Sequence, residues 1–206
     1  ATSVASGGQE FARFEVVGVN LGYAGVGFRS FLAVTLVEFA ARKLLLLAQA
    51  DAGGLRLYRQ VFDLSRALAE IADDARLLAP QLAVREAIAP GLGLRADPDL
   101  LRHLLQNLIS NAIKYNLPQG WIEIAARQAG SHVEVTVGNA SIGIAPADRE
   151  RIFDRYFRAD PSRSRQREGV GLALALAREI ARAHDGDLRL AASADRETRS
   201  VLILPR

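Results

Sequence analysis

The spacing of apolar residues changes along the chain and predicts a succession of helices and strands. A period of three to four residues predicts amphipathic helices over residues 28–52, 65–79, 98–115 and 171–183. Alternating or continuous apolar runs predict strands over residues 82–88, 94–97, 121–127, 132–138, 187–191 and 200–204. Glycines interrupt the pattern in residues 10–27, which receive no assignment. This order predicts an α+β fold: a two-layer α/β sandwich, with helices on one face of a mixed sheet, preceded by a long helix.

The helix over residues 98–115 carries a polar edge beside its apolar stripe. Asn107, Asn111 and Lys114 follow one another at spacings of four and three, so they share one side of the helix. Carboxamide oxygens can ligate a hard cation, and a lysine meets phosphate as a point charge. These residues therefore suggest a magnesium-triphosphate site. If the helix stood alone, a solvated polar edge without a ligand would be the better interpretation.

Composition excludes several classes of protein. With 206 residues, of which 50% are hydrophobic, the chain can bury one or two ordinary cores. The net charge is only +3 and the arginines are spread out, which gives little support to nucleic-acid binding. Without cysteine, disulfides, thiolate metal sites and cysteine nucleophiles are excluded.

The beginning of the chain suggests a piece of a longer protein, because methionine is missing even at position 1. The apolar run over residues 31–41 contains Glu38 and is too short to cross a bilayer. We therefore expect any membrane anchor of the parent protein to lie outside this chain.

Four segments occur in a characteristic order. They are LRHLLQNLISNAIKY from Leu101, NASIGIAP from Asn139, ERIFDRYFRAD from Glu150 and EGVGLALALAREIARAH from Glu168. Together they resemble the N, G1, F and G2 boxes of the ATP-binding domain of sensor histidine kinases, over roughly residues 97–206. The resemblance implies a Bergerat-type ATP-binding fold. After a poorly defined lead-in over residues 1–27, it implies a dimerisation-type helix and linker over 28–60 and an ATP-binding catalytic domain over 61–206. An ordinary core helix explains the leucines of the first helix equally well.

The resemblance also implies a set of site residues for ATP and Mg²⁺. Asn107 and Asn111 are the implied magnesium ligands, and Asn107, Lys114 and Arg158 the implied catalytic residues. The implied nucleotide-binding residues are Asn111, Tyr115, Asn139, Ser141, Gly143, Ile144, Gly169, Gly171 and Leu172.

The polar segment between Asp160 and Glu168 is expected to be a lid over the nucleotide. Its Arg163, Arg165 or Arg167 can reach a triphosphate, although a solvated loop explains each arginine taken singly. Aromatic residues are expected to dock the base of the lid on the core, namely Phe153, Tyr156 and Phe157.

Three positions depart from the family pattern. Asn139 stands where aspartate is usual, and its amide oxygen can accept the same hydrogen bond from adenine. Ser141 and Ala173 each replace a glycine, which stiffens the loop after Asn139 and adds a methyl group near the phosphates. For the loop at Asn139 the alternative is a plain turn without a ligand.

The histidines do not include the family's phosphoacceptor, a helical histidine followed by an acidic residue and shortly by proline. His103, His132 and His184 are therefore interpreted as structural, and His184, at a helix C-terminus, is expected to favour a partial positive charge. The related gyrase-like and chaperone-like ATPases have a glutamate as general base at the place of Asn107. An amide cannot take a proton from water, which favours phosphoryl transfer over hydrolysis.

Two functions remain open. In the first, the chain is the ATP-binding catalytic part of a two-component sensor histidine kinase, transferring phosphate to a histidine not found in this chain. Its implied partners are ATP, a second copy through the N-terminal helix of the parent protein, and a response regulator, with the cytoplasm as its compartment. In the second, the chain is a degenerate scaffold of the same fold that binds nucleotide or a partner without catalysis.

Overall fold

The structure is a computed structural model that describes residues 14–16, 19–21, 45–50, 54–158, 171–191 and 196–206. The chain forms two compact units, Ala1–Arg42 and Lys43–Arg206. In the first unit, β1 (Phe14–Val16) and β2 (Val19–Leu21) pair as an antiparallel hairpin. The hydrophobic pattern does not predict this hairpin, because strands of three residues are too short to show alternation. Of the predicted helix 28–52, residues 45–50 are described and are helical; the remainder lies outside the described residues.

Besides the helical residues 45–50, the described part of the second unit contains three longer helices and seven strands. The helices are α1 (Leu64–Leu78), α2 (Pro98–Lys114) and α3 (Ala173–Ala183). The strands are β3 (Gln60–Asp63), β4 (Ala83–Ile88), β5 (Gly93–Ala96), β6 (Trp121–Ala129), β7 (His132–Ala140), β8 (Asp187–Leu190) and β9 (Glu197–Pro205). Two short 3₁₀ helices, Pro146–Asp148 and Arg151–Phe153, follow β7. The pattern predicted α1, α2, α3 and every strand of this unit except β3, where Phe62 is the single buried residue of four, and it did not predict the two 3₁₀ helices.

The sheet and the helices form two layers. Five strands run in the order β4-β6-β7-β9-β8, with β4 parallel to β6 and the other neighbours antiparallel. A separate antiparallel pair is formed by β3 and β5. The helices contact the sheet and each other, and the core between them is filled by side chains such as Leu104, Ile124, Val135, Leu176 and Leu202. The predicted α+β sandwich is therefore confirmed.

Among the described residues, the other face of the sheet carries charged side chains and no helix packs on it. Arg199 donates to Glu123 at 2.7 Å, and Arg127 donates to Glu134 at 2.9 Å. Burial on one face and ion pairs on the other explain the apolar-polar alternation of β6.

Candidate nucleotide-binding site

Helix α2 begins at a side-chain cap and carries its polar edge in its second half. The Asp97 carboxylate accepts the N–H of Leu100, and Pro98 occupies the first turn, where its missing N–H costs nothing. Asn111 and Lys114 are half-buried beside the largely exposed ring of Tyr115. Asn107 is only 5% exposed, so its expected place on the solvent edge is wrong. It lies one helical turn before Asn111 and is among the buried residues of α2.

The end of α2 is joined to the end of strand β7. The Leu117 N–H donates to the Ala140 carbonyl at 3.1 Å, directly after Asn139. The ammonium of Lys114 lies 5.4 Å from the centroid of the Tyr115 ring. The structure thereby brings the polar end of α2 and the predicted adenine residue Asn139 to the same part of the molecule.

Asn139 is buried at the edge of this junction. Its Nδ2 donates to the Ala140 carbonyl at 3.0 Å, and its backbone pairs with Ile122 on one side and Thr198 on the other. An amide whose nitrogen is engaged in this way has its oxygen as the group suited to accept a hydrogen bond from an exocyclic amine. This supports the same role for Asn139 as for an aspartate.

Ser141, which replaces a glycine, is bound within the protein. Its hydroxyl is 2.8 Å from the hydroxyl of Thr198 and accepts the N–H of Gly143 at 3.0 Å. Gly143 has a φ of 80°, a conformation that glycine adopts without strain, and Ile144 beside it is half-buried. Thr198 was not predicted, because it reaches this loop only through the pairing of β9 with β7, 57 residues along the chain.

The segment before α3 is packed on that helix. Phe153 is buried, and the guanidinium of Arg178 on α3 lies 4.6 Å from the centroid of its ring. Arg178 also pairs with Glu150 at 3.2 Å. The expected docking of Phe153 on the core is therefore confirmed.

Tyr156 is 60% exposed, so its expected docking through the ring is wrong. Its backbone, with a φ of 63°, instead turns the N–H toward the Gly171 carbonyl at 3.0 Å. The contact is thus made by the main chain, which a pattern of aromatic residues cannot reveal. Phe157 and Arg158 are half-buried beside it.

Both the backbone conformation at position 171 and the lack of room for a Cβ atom require glycine there. Its φ is 72°, and a Cβ at this position would lie 2.9 Å from the Phe157 carbonyl oxygen. Leu172, the next residue, is buried, and α3 then begins without a side-chain hydrogen bond to its first turn. A helix N-terminus of this kind suits phosphate oxygens. The other predicted members of this loop lie outside the described residues: Gly169, Arg163, Arg165 and Arg167.

His184 lies at the opposite end of α3, and its hydrogen bonds are those of a neutral imidazole. Its Nε2 accepts the Asp97 N–H at 3.0 Å, and its Nδ1 donates to the Ile180 carbonyl at 2.8 Å. Burial lowers the pKa of this imidazole, and the nearby Arg59 lowers it further. The expected partial positive charge at this helix end is therefore wrong, because the buried ring is used as a hydrogen-bond acceptor.

The described residues contain no group of three or more histidines or carboxylates that could hold a metal ion. The amide oxygens of Asn107 and Asn111 nevertheless have the chemistry that magnesium prefers. Within the same part of the chain, no helix is long and apolar enough to cross a membrane.

Residues 96–206 match a protein family described as histidine kinase-, DNA gyrase B-, and HSP90-like ATPase. This match covers more than half of the chain. The chain belongs to this family.

Among curated proteins, the chain is 39% identical over 124 residues to the sensor-like histidine kinase SenX3 of Mycobacterium tuberculosis, covering 60% of the chain and 30% of SenX3. It is 37% identical over 164 residues to the sensor histidine kinase CusS of Escherichia coli, covering 79% of the chain and 34% of CusS. The chain thus spans about a third of the length of these relatives. The resemblance to sensor histidine kinases is confirmed.

Among solved structures, the mycobacterial sensor histidine kinase MprB superposes with a TM-score of 0.65 at 24% identity, covering 71% of this chain and 97% of that one. This likeness shows the shared fold.

Proposed function

We propose that this chain is the ATP-binding catalytic part of a sensor histidine kinase, which transfers the γ-phosphate of ATP to a histidine on another segment or chain. The observation that carries this proposal is the junction of α2 with the end of β7. The Leu117 N–H, just after α2, donates to the Ala140 carbonyl next to the buried Asn139, and this supports one site that includes the carboxamides and the lysine of α2.

Each part of the site has a role that its chemistry supports. The oxygens of Asn107 and Asn111 would hold Mg²⁺, which when bound neutralises charge on the phosphates. Lys114 and Arg158 supply positive charge, and the N-terminus of α3 after Gly171 offers backbone N–H groups.

The adenine end of the site is formed by the loop that follows β7. Asn139 would accept a hydrogen bond from the adenine amine. Ser141, Gly143 and Ile144 would shape the pocket wall beside it, while Tyr115 would contribute at the phosphate side. Gly169 and Leu172 complete the proposed nucleotide contacts.

Phosphoryl transfer is favoured over hydrolysis by the buried amide of Asn107. A general base for water requires a carboxylate or an imidazole, and an amide is neither. Transfer to an incoming imidazole requires alignment and charge neutralisation instead. The acceptor would come from elsewhere, since His184 is buried and committed to two hydrogen bonds.

The proposed role also implies partners and a compartment for the parent protein. The parent protein would pair with a second copy through its N-terminal helix and pass phosphate to a response regulator. We propose the cytoplasm, where ATP is available, as its compartment.

Titration of a fluorescent ATP analogue, with and without magnesium, tests the nucleotide site. Saturable binding that magnesium strengthens is expected. Asn139→Ala should weaken ATP and ADP alike, because the base is common to both. Equal affinity in the wild type and this variant would show that the adenine site is misplaced.

Transfer is tested by adding a separately expressed acceptor hairpin and labelled ATP. Label on the hairpin histidine is expected. Binding without label would instead favour the degenerate scaffold, the alternative suggested by the serine at 141 and the alanine at 173. The hydrogen bonds of Ser141 to Thr198 and Gly143 hold the loop in place, and a loop held by the protein itself favours that alternative.

A further inference from the structure

The linker that precedes the domain is attached to the ends of two helices that build the candidate site. We call this attachment the latch, formed by Tyr58, Arg59, Asp97, His184 and Asp185. Tyr58 and Arg59 come from the linker, Asp97 caps the start of α2, and His184 and Asp185 follow the end of α3.

The first half of the latch is centred on Asp97, which is buried. Its carboxylate accepts the N–H of Tyr58 at 2.9 Å as well as the capping N–H of Leu100 at 3.1 Å. Its own N–H donates to Nε2 of His184 at 3.0 Å. A single residue therefore ties the linker, the start of α2 and the end of α3 together.

The second half of the latch is centred on Arg59. Its guanidinium donates to the Ala183 carbonyl at 3.1 Å and to the Asp185 carboxylate at 2.6 Å. The carbonyl belongs to the last turn of α3, where a cation is favourable. The Tyr58 ring is 79% exposed, so this residue is held by its backbone and not by its side chain.

The latch and the candidate site lie at opposite ends of the same helices. From Asp97 to Asn111 the helix rises about 21 Å, and α3 itself is about 16 Å long. Helices α2 and α3 pack side by side along this length. A rigid helix transmits a shift at one end to the other, so the position of the latch affects the spacing of the groups around the nucleotide.

We propose that docking of residues 58 and 59 fixes the relative position of α2 and α3, and that linker docking and nucleotide binding therefore strengthen each other. Arg59 and His184 act as positioning residues that do not touch the nucleotide. The inference rests on the proposed function, because the coupling is to nucleotide bound at that site. By reciprocity, nucleotide must favour the docked linker by the same factor by which the docked linker favours nucleotide.

The first test measures affinity of the 206-residue chain for the fluorescent ATP analogue with magnesium. Arg59→Ala and His184→Phe are each expected to weaken binding by roughly fivefold or more. His184→Gln should retain most of the affinity, because its amide oxygen can accept the Asp97 N–H. Arg127→Ala, which removes an exposed ion pair on the open face of the sheet, is the matched control and should bind like the wild type.

The second test measures hydrogen exchange at the Tyr58 amide, which donates to Asp97. Saturating nucleotide should slow this exchange, whereas the Ala89 amide, bonded to Ala126 beside β4, should be unaffected. A contact that is not coupled to the site would be slowed no more than the Ala89 amide, because global stabilisation by nucleotide acts on both amides. This measurement needs no substitution, so it remains decisive if His184→Phe fails to fold.

The outcomes separate the two proposals. If the wild type does not bind nucleotide, the proposed function and the coupling both fail. If it binds, but Arg59→Ala retains full affinity and the Tyr58 amide is insensitive to nucleotide, the coupling alone is overturned.

Discussion

The two ends of the α2–α3 pair differ in how their polar groups are satisfied. At the latch end, Asp97 and His184 are buried and hydrogen-bonded to each other through backbone and ring. At the other end, α3 starts without a side-chain cap, and Asn111 and Lys114 are half-buried at the surface. One end of the pair is therefore closed by buried hydrogen bonds, whereas the other is the end at which we propose that the nucleotide binds.

This difference predicts which substitutions should lower the free energy of unfolding and which should weaken nucleotide binding. Changes at the closed end leave buried groups without partners, which lowers the free energy of unfolding. Truncation of the polar side chains Asn111 and Lys114 at the open end should instead weaken the proposed nucleotide binding and leave the core intact. The substitutions below test this separation.

The largest effect is expected for Asn111→Ala. Removal of a proposed magnesium ligand should weaken magnesium-dependent binding of the ATP analogue by about 100-fold or more, at the upper limit of effects seen around metal sites. Gln128→Ala deletes an exposed carboxamide at the far end of β6 and serves as the control. Unchanged magnesium dependence in Asn111→Ala would remove this residue from the site.

Gly171→Ala should be the most destabilising substitution at the open end. It forces alanine to a φ of 72° and places Cβ against the Phe157 carbonyl. We expect a loss of about 3 kcal/mol in the free energy of unfolding. Gly130→Ala, with a φ of 64° but open space around it, should lose about 1 kcal/mol. Denaturant titration of both variants measures the difference, and equal losses would show that the steric contact is unimportant.

Asp97→Ala tests whether the cap at the closed end contributes more to stability than an ordinary helix cap does. Asp97 is buried and accepts N–H groups from Leu100 and Tyr58, whereas Asp63 is exposed and accepts only that of Arg66. The expected losses are about 2 kcal/mol for Asp97→Ala and about 1 kcal/mol for Asp63→Ala. Equal unfolding midpoints for the two variants would argue against the additional role of Asp97.

The smallest effect is a dependence of stability on pH through His184. Because its pKa is lowered in the folded protein, the unfolded chain binds a proton first as pH falls below about 6.5. This contribution to stability is fully present above that pH and is lost as pH falls toward the folded pKa. The groups facing the ring are Arg59, Asp97 and Asp185.

Comparison of wild type with His184→Gln isolates that contribution. The wild type should lose more stability than the variant between pH 7.5 and 5, measured by denaturant unfolding. NMR titration of the His184 ring should also give a midpoint below that of a free histidine. A midpoint above it would contradict the neutral buried ring.

Much of the fold follows from local pattern. The apolar spacing of residues 98–115 predicts α2, and Asp97 and Pro98 predict its start, because capping depends on neighbours in the chain. The pattern does not predict strand β3, because its residues pair with residues of β5 that lie 30 to 36 positions further along the chain. The hairpin of β1 and β2 is likewise too short for its periodicity to be read.

The candidate site likewise contains some residues that the sequence predicts and others that it does not. Asn111, Lys114 and Asn139 could be selected from the order of four motifs, and their shared role in one nucleotide site stays a prediction. Thr198 and the main-chain contact of Tyr156 could not be predicted, because neither belongs to a motif. The neutral form of the His184 imidazole could not be predicted either, because a position at a helix C-terminus by itself favours the charged form.

By itself the sequence determined the helices and most of the strands, the family, and which residue types could meet a nucleotide, because periodicity, caps and motifs are properties of neighbouring residues. Only the tertiary structure decided that Asp97 would meet His184 and the linker, and that Ser141 would bind Thr198. Those contacts join positions 39 to 87 residues apart, so only folding brings the groups together and buries them with their hydrogen-bond partners.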